Sequence, residues 1–302
     1  MMADPKVMRI AKDKICYCMS SSNTPVAEVA QGALFCVETE DCYSGRLRTP
    51  SDHFTKDMWD TVNPATGPIA IRGTEPGGTL RVEIVDIQTR DYAVMCLEHG
   101  AGALGKFVEG VETSILPIRN GRLILGGALA IPLQPMIGVI GTAPLGAAVL
   151  NGTPGEHGGN MDCKLITAGA VLYLPVNTRG ALLALGDLHA VMGDGEVGIC
   201  GAEVSGAVLL RARQVDFNLP TPCVETQTHF HFIGSALTLD ECERIVLGKA
   251  HAFLTRFEKL SANEAARAMS LLGDLQVCQV VDPLKTMRFS VPRQFLQHCG
   301  AT

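Results

Sequence analysis

The chain has 302 residues, 47% of them apolar and 19% charged, and carries a net charge of −6. That length leaves room for one large or two to three modest domains, and the composition excludes long disorder, which needs low hydrophobicity together with high net charge. An acidic balance without a basic run excludes nucleic acid and anionic membranes as expected partners.

The opening MMADPKVMRIAKDK contains no apolar core of a secretory signal, so none is expected. The 11 cysteines are scattered, without a C-x-x-C pair, and the closest two are Cys16 and Cys18. Free thiols in a reducing cytoplasm are the economical reading. The 32 glycines and 16 prolines predict many turns, as in a β-rich protein.

Residues 6–48 read as short strands, VMRI, KICYCM and GALFCVET, followed by Asp41-Cys42-Tyr43-Ser44-Gly45. Ile69-Ala70-Ile71 leads into the turn Gly73-Thr74-Glu75-Pro76-Gly77-Gly78. The near-alternating Leu80, Val82 and Ile84 then predict a half-buried strand. Residues 115–150 hold two or three more strands. The stretch 123–150 is long enough to cross a bilayer, but it is broken by Pro132, Pro135, Pro144 and several glycines. Consecutive buried strands fit it better than one helix. LITAGAVLYLPV, ALLALGDLHAV, EVGICGAEV and AVLLRARQV continue the β pattern through residues 165–215.

The pattern then changes. Thr238-Leu239-Asp240-Glu241 is a capping box that opens a helix to about Lys259, and Ser261-Ala262-Asn263-Glu264 opens a second through Leu272. VCQVVD follows as a strand. The fold class is therefore α+β, predominantly β, with N-terminal and central β-sandwich or β-barrel regions and a C-terminal α+β unit. A boundary near residues 218–222 divides a β-rich domain, 1–222, from an α+β domain with two helices, 223–302.

Residues 151–203 concentrate acids and imidazoles in an otherwise apolar run: His157, Asp162, Asp187, His189, Asp194, Glu196 and Glu203. Such groups are rarely buried unless paired, hydrogen-bonded or bound to metal. Asp187 and His189 stand two apart in an expected strand and so share a face; they make either a metal or catalytic pair, or a hydrogen-bonded structural one. The glycines beside His157 and Asp162 let backbone approach a ligand closely, or simply make a tight turn. Asp194 is a catalytic candidate or only a turn former before Gly195. Glu196 opens the next expected strand, with Glu203 at its end. His229 and His231 also share a strand face; two such imidazoles can bind metal, but a partly buried structural pair is the first expectation. G-x-S-x-G, H-E-x-x-H and P-loop motifs are absent from the sequence, and no G-x-G-x-x-G stands between an expected strand and an expected helix.

The blocks His157-Gly158-Gly159-Asn160-Met161-Asp162, Leu172-Tyr173-Leu174-Pro175-Val176, Gly180-Ala181-Leu182, Gly186-Asp187-Leu188-His189-Ala190 and Gly193-Asp194-Gly195-Glu196-Val197 closely resemble the acetamidase/formamidase family. So do Thr66-Gly67-Pro68, Glu75-Pro76-Gly77 and Pro135-Met136-Ile137-Gly138-Val139-Ile140-Gly141. The resemblance implies a β-rich hydrolase that cleaves short aliphatic amides, formamide and acetamide, to ammonia and carboxylate. It also raises Glu75 to a catalytic candidate beside Asp194, Glu196 and Glu203. Two positions depart from the family pattern: Gly78, where an acid is expected, and Met192, where Gln is expected. A divalent metal, zinc first and calcium second, held among His157, Asp162, Asp187 and His189 would activate water for the attack. The competing readings are a non-catalytic small-ligand or calcium-binding β protein and a hydrolase of small cyclic amides. A small amide as partner, a homodimer and a cytoplasmic location complete the expectation.

Overall fold

The computed structural model describes residues 7–217, 219–256 and 259–293. Among these residues the strands form two large sheets and one two-stranded ribbon. The first sheet has nine strands, in the order Met8–Ile10, Leu34–Thr39, Gly206–Val215, Thr79–Thr89, Val171–Pro175, Cys223–Glu225, His229–Ala236, Lys285–Pro292 and Asp274–Gln279. The second centres on Leu183–His189, which pairs antiparallel with Met136–Gly141, Glu203–Val204 and Ala65–Ile71. The expected β-rich architecture with a helical C-terminal unit is what the chain adopts.

The sequence explains why Leu183–His189 lies at the centre. Every one of its residues is buried, which a strand reading LALGDLH tolerates because both faces are apolar apart from its two site residues. Gly186 is obligatory there, since a β-carbon would strike the carbonyl of Pro64 on the neighbouring strand. The larger core draws side chains from both sheets, among them Phe35, Val82, Leu172, Ile137, Leu185 and Leu210. The apolar stretch 123–150 resolves into the strands Arg122–Leu125, Leu129–Pro132, Met136–Gly141 and Val149–Leu150. No described helix is long and apolar enough to cross a membrane.

Both capping boxes form. Thr238 Oγ1 accepts from Glu241 N at 3.2 Å, while Glu241 Oε2 accepts from Thr238 N at 3.2 Å, and helix α1 follows as Leu239–Arg256. Ser261 and Glu264 make the same reciprocal pair before helix α2, Ala262–Leu272. Helix α1 stops short of Lys259, which takes a left-handed φ of 53°. It packs flush on His229–Ala236, because Gly234 leaves room for Ile245 and Val246. Phe253 stacks on Phe230 with centroids 5.6 Å apart, and these rings anchor a second core with Val246, Phe232 and Phe289. The first sheet runs on across Pro222, since Val171–Pro175 pairs with Cys223–Glu225 and that strand with His229–Ala236. Asn218, the first residue of the expected boundary, lies outside the described residues.

His231 fits the structural reading of the pair through its hydrogen bonds. Its Nδ1 lies 2.7 Å from Ser290 Oγ and its Nε2 3.2 Å from Thr226 Oγ1. Burial, reinforced by Arg288, pushes its pKa from 6.5 down to about 3. The unfolded chain therefore binds a proton that the folded chain refuses. Stability from this group is complete above pH 6.5 and is lost as the pH falls towards 3, by about 1.4 kcal/mol per pH unit. Urea unfolding of wild type and His231→Gln between pH 4 and 6 is expected to show a stability difference that changes with that slope, the wild type losing more on acidification. Parallel pH profiles would refute it.

Candidate active site

Four chain segments deliver the site. In the ladder between Leu183–His189 and Glu203–Val204, His189 lies opposite Glu203. Asp187 sits two residues before His189 and takes a left-handed φ of 54°. Asp162 follows the strand Gly158–Asn160 and is left-handed too, at 42°. A side chain on Gly138, across the ladder, would come within 2.5 Å of Asp162 Oδ1 and 2.8 Å of Asp187 Oδ2. Only glycine lets those two carboxylates close over that strand. Gly201 plays the same part under the His189 ring, whose Cγ would lie 2.6 Å from an added β-carbon.

Glu196 arrives by a different route from the one its sequence predicts. Of the expected strand EVGICGAEV, only Glu203–Val204 is extended in a ladder. Glu196 at φ 48° and Ile199 at φ 81° are left-handed, so the segment coils instead. Glu196 thus reaches the site through a turn rather than through strand parity.

The result is one imidazole nitrogen ringed by acids. His189 Nε2 lies 3.2 Å from Glu203 Oε1, 3.5 Å from Asp187 Oδ1, 3.8 Å from Asp162 Oδ1 and 3.9 Å from Glu196 Oε1. All five side chains are buried. Glu203 Oε1 also accepts from Gly201 N at 3.0 Å. Yet Asp162 Oδ1, Asp187 Oδ1, Glu196 Oε2 and Glu203 Oε2 find no hydrogen-bond donor, although buried polar atoms are almost always satisfied. Burial first, and neighbouring carboxylates second, push Asp162, Glu196 and Glu203 well above the usual carboxylate range. Burial opposes a charge on His189, but Asp187 and then Asp162 outweigh it and raise its pKa. A cluster so dense in like charge needs protons or a cation to hold it together.

The cluster opens on a cavity of about 580 Å³, whose wall includes Asp162, Asp187, Glu196 and Glu203. The sequence reading missed two residues there. Asp282, at the end of VCQVVD, receives a hydrogen bond from Asn160 Nδ2 at 2.8 Å, and burial with Asp187 nearby raises it to about 8. Cys42, noted only as part of a turn, brings its sulfur within 4.8 Å of carboxylate oxygens of Asp187 and Glu203. The other compact donor group is Asp162, His189 and Glu196. Neither Cys42 nor Asp282 carries a local signal, because each lies far along the chain from the residues it meets.

Three expected site residues stand elsewhere. Glu75 is exposed, ion-paired with Arg179 at 3.2 Å on a surface turn, and Gly78 beside it packs against Gln214. His157 is buried against Gly155 and Gly159, off the cavity wall, with burial lowering its pKa to about 4. Asp194 makes a bidentate pair with the buried Arg288, at 2.8 and 2.7 Å, and meets Lys164 at 3.0 Å. The other departure from the family pattern is at the site itself: Met192 Sδ lies 3.3 Å from His189 Nδ1.

The chain matches the model of the Acetamidase/Formamidase family over residues 21–152 and 142–216, and it belongs to that family. An acetamidase structure from Bacillus halodurans is 42% identical, covers 97% of this chain and all of its own, and superposes with a TM-score of 0.95. The structure of a predicted acetamidase/formamidase from the thermophile Thermoanaerobacter tengcongensis is also 42% identical, covering 98% and 99% of the two chains at a TM-score of 0.94. A formamidase from Methylophilus methylotrophus is 29% identical over 242 residues, 60% of this chain and 59% of its own. The chain spans less than two thirds of the length of the curated relatives it matches, between 59% and 66%.

The Asp194–Arg288 pair ties the turn that carries Glu196 to the C-terminal unit, assisted by Gly195 N donating to Cys278 O at 2.8 Å. Asp194→Ala removes the carboxylate partner of a buried guanidinium and leaves it the neutral acceptors Gln276 Oε1 and Val277 O. It is expected to cost about 3 kcal/mol, read as a lowered Tm and a matching shift in the denaturant midpoint. Unchanged stability would show that the backbone bonds of Gly195 to Cys278 and Val280 suffice to hold the turn.

Proposed function

We propose that this chain hydrolyses primary amides to ammonia and a carboxylate at the acid cluster around His189. The observation that carries the reading is that one buried imidazole nitrogen has four carboxylates within 3.9 Å on the wall of a cavity. Membership of the acetamidase/formamidase family and whole-chain likeness to an acetamidase support the amide as substrate. In the reaction the amide C–N bond breaks and a C–O bond forms from water. Both water protons finish on nitrogen, as ammonium beside the carboxylate.

The residues fit a divalent cation. The orphaned oxygens of Asp162, Asp187, Glu196 and Glu203 are acceptors without donors, which is the pattern a cation satisfies. We assign Asp162, Asp187 and His189 to hold it, with Cys42 in reach of the Asp187 carboxylate. When bound, such an ion supplies Lewis acidity towards the amide carbonyl and lowers the pKa of a water. Zinc suits an imidazole and a thiol better than calcium does. Glu203 is assigned as the general base: one oxygen is fixed by Gly201 N and the other is free to take a proton. Asp282, raised to about 8 and oriented by Asn160, is assigned to protonate the departing nitrogen. Glu196 keeps the second shuttle position. The exposed Phe107 and Leu104 support a homodimer, which light scattering tests. Unpaired thiols at every described cysteine support the cytoplasm, which localisation of a tagged chain tests.

Ammonia release from acetamide is expected to fall by about 10²–10⁴-fold in Glu203→Gln, and to vanish on chelation and return with zinc. Elemental analysis of the purified protein is expected to find the ion. Undiminished turnover after complete metal removal would defeat the metal assignment, and undiminished turnover in Glu203→Gln would defeat the base.

A further inference from the structure

The cavity has room for more than the smallest amides. Its volume of about 580 Å³ lies in the range of pockets that hold ligands several times larger than formamide or acetamide. Its walls differ in chemistry. The acid cluster forms one part; Tyr17, Phe54, Trp59, Val62, Leu150 and Ile199 contribute an apolar part. Phe54 and Trp59 meet edge to face with centroids 4.9 Å apart. Trp59 remains 59% exposed and Leu150 68% exposed. Apolar surface of that kind beside a polar site is usually reserved for a ligand. The charged side chains on the wall, such as Asp60, Glu98 and Asp282, are all acidic, and none of the described lining residues is basic. An anionic acyl group would be repelled there.

We propose that the site takes uncharged primary amides whose acyl group is an apolar body of aryl size, of the 2-phenylacetamide type, in preference to one- and two-carbon amides. The proposal rests on the amide-hydrolysis reading. The amide group lies at the acid cluster and the ring against Phe54 and Trp59. The reaction balances as before: the C–N bond breaks, water supplies the new C–O bond, and an arylacetate and ammonium leave.

Two readouts on the metal-replete full chain test it. The first is ammonia release from acetamide, hexanamide, 2-phenylacetamide and the anionic glutaramate. kcat/KM for 2-phenylacetamide is expected to exceed that for acetamide by about 30-fold, the value of burying one large apolar group, with hexanamide between them and glutaramate last. Trp59→Ala is expected to lower the 2-phenylacetamide value at least about tenfold more than the acetamide value, and Trp59→Phe to restore most of the difference. The second readout is fluorescence. Trp59 is the only tryptophan of the chain, so 2-phenylacetamide is expected to shift its emission and acetamide to leave it unmoved. Acetamide turned over as well as or better than 2-phenylacetamide, with no emission shift, overturns the proposal and leaves amide hydrolysis standing. No ammonia from any amide, with the emission shift present, defeats hydrolysis and upholds the apolar-ligand site. Preferential turnover of glutaramate overturns the proposal outright.

Discussion

The structure is organised around a charge conflict on a buried strand. His189 and Asp187 lie on Leu183–His189, every residue of which is buried, and three further carboxylates converge on the same imidazole nitrogen. Like charges in a low-dielectric interior repel strongly, and their desolvation is costly. The backbone also bears strain, since Asp162, Asp187 and Glu196 are all left-handed, a conformation that costs non-glycine residues of order 1 kcal/mol or more each. Nothing local favours this arrangement. It persists because a core drawn from two sheets over-determines the positions of the strands that carry it, and because glycines at 138 and 201 let the backbone and the ring close in.

The C-terminal unit completes the site rather than decorating it. Asp282 enters the cavity from the segment after Asp274–Gln279. Gln279 orients that segment by accepting from Val281 N and Asp282 N at 2.9 and 3.0 Å. The same strand is laced to the Glu196 turn through Gly195 and Val280, and Arg288 clamps Asp194 in that turn. Helix α1 fixes the sheet behind, through Phe253 on Phe230 and Phe232. Two of the site's carboxyl groups are thus joined to the C-terminal unit by a short chain of hydrogen bonds.

This division explains what could be read from the chain. Both capping boxes are legible because they depend on side chains three residues apart. Asp162, Asp187, His189 and Glu203 are legible because acids and imidazoles in an apolar run are seldom buried without a partner or an ion. Glu196 is reached for the wrong geometric reason: its segment reads as a strand, and two left-handed residues coil it instead. Asp194 resembles a site acid, but its partner Arg288 lies 94 residues away, a distance no local pattern bridges. Asp282 and Cys42 are invisible for the same reason. Glu75 owes its place to a motif likeness, and in the fold that motif is a surface turn paired with Arg179.

The electrostatics also bear on the direction of the reaction. A neutral amide entering a wall lined by Asp60, Glu98 and the buried acids meets no net repulsion. In the proposed reaction hydrolysis would convert it into a carboxylate, which the same wall would oppose. On the proposed reading, the acidity that makes the cluster costly to fold would also favour release of the product anion. A basic residue on that wall would reverse the balance, holding the carboxylate and slowing release. The absence of one among the described lining residues fits the proposed reaction, whose substrate is neutral and whose product is not.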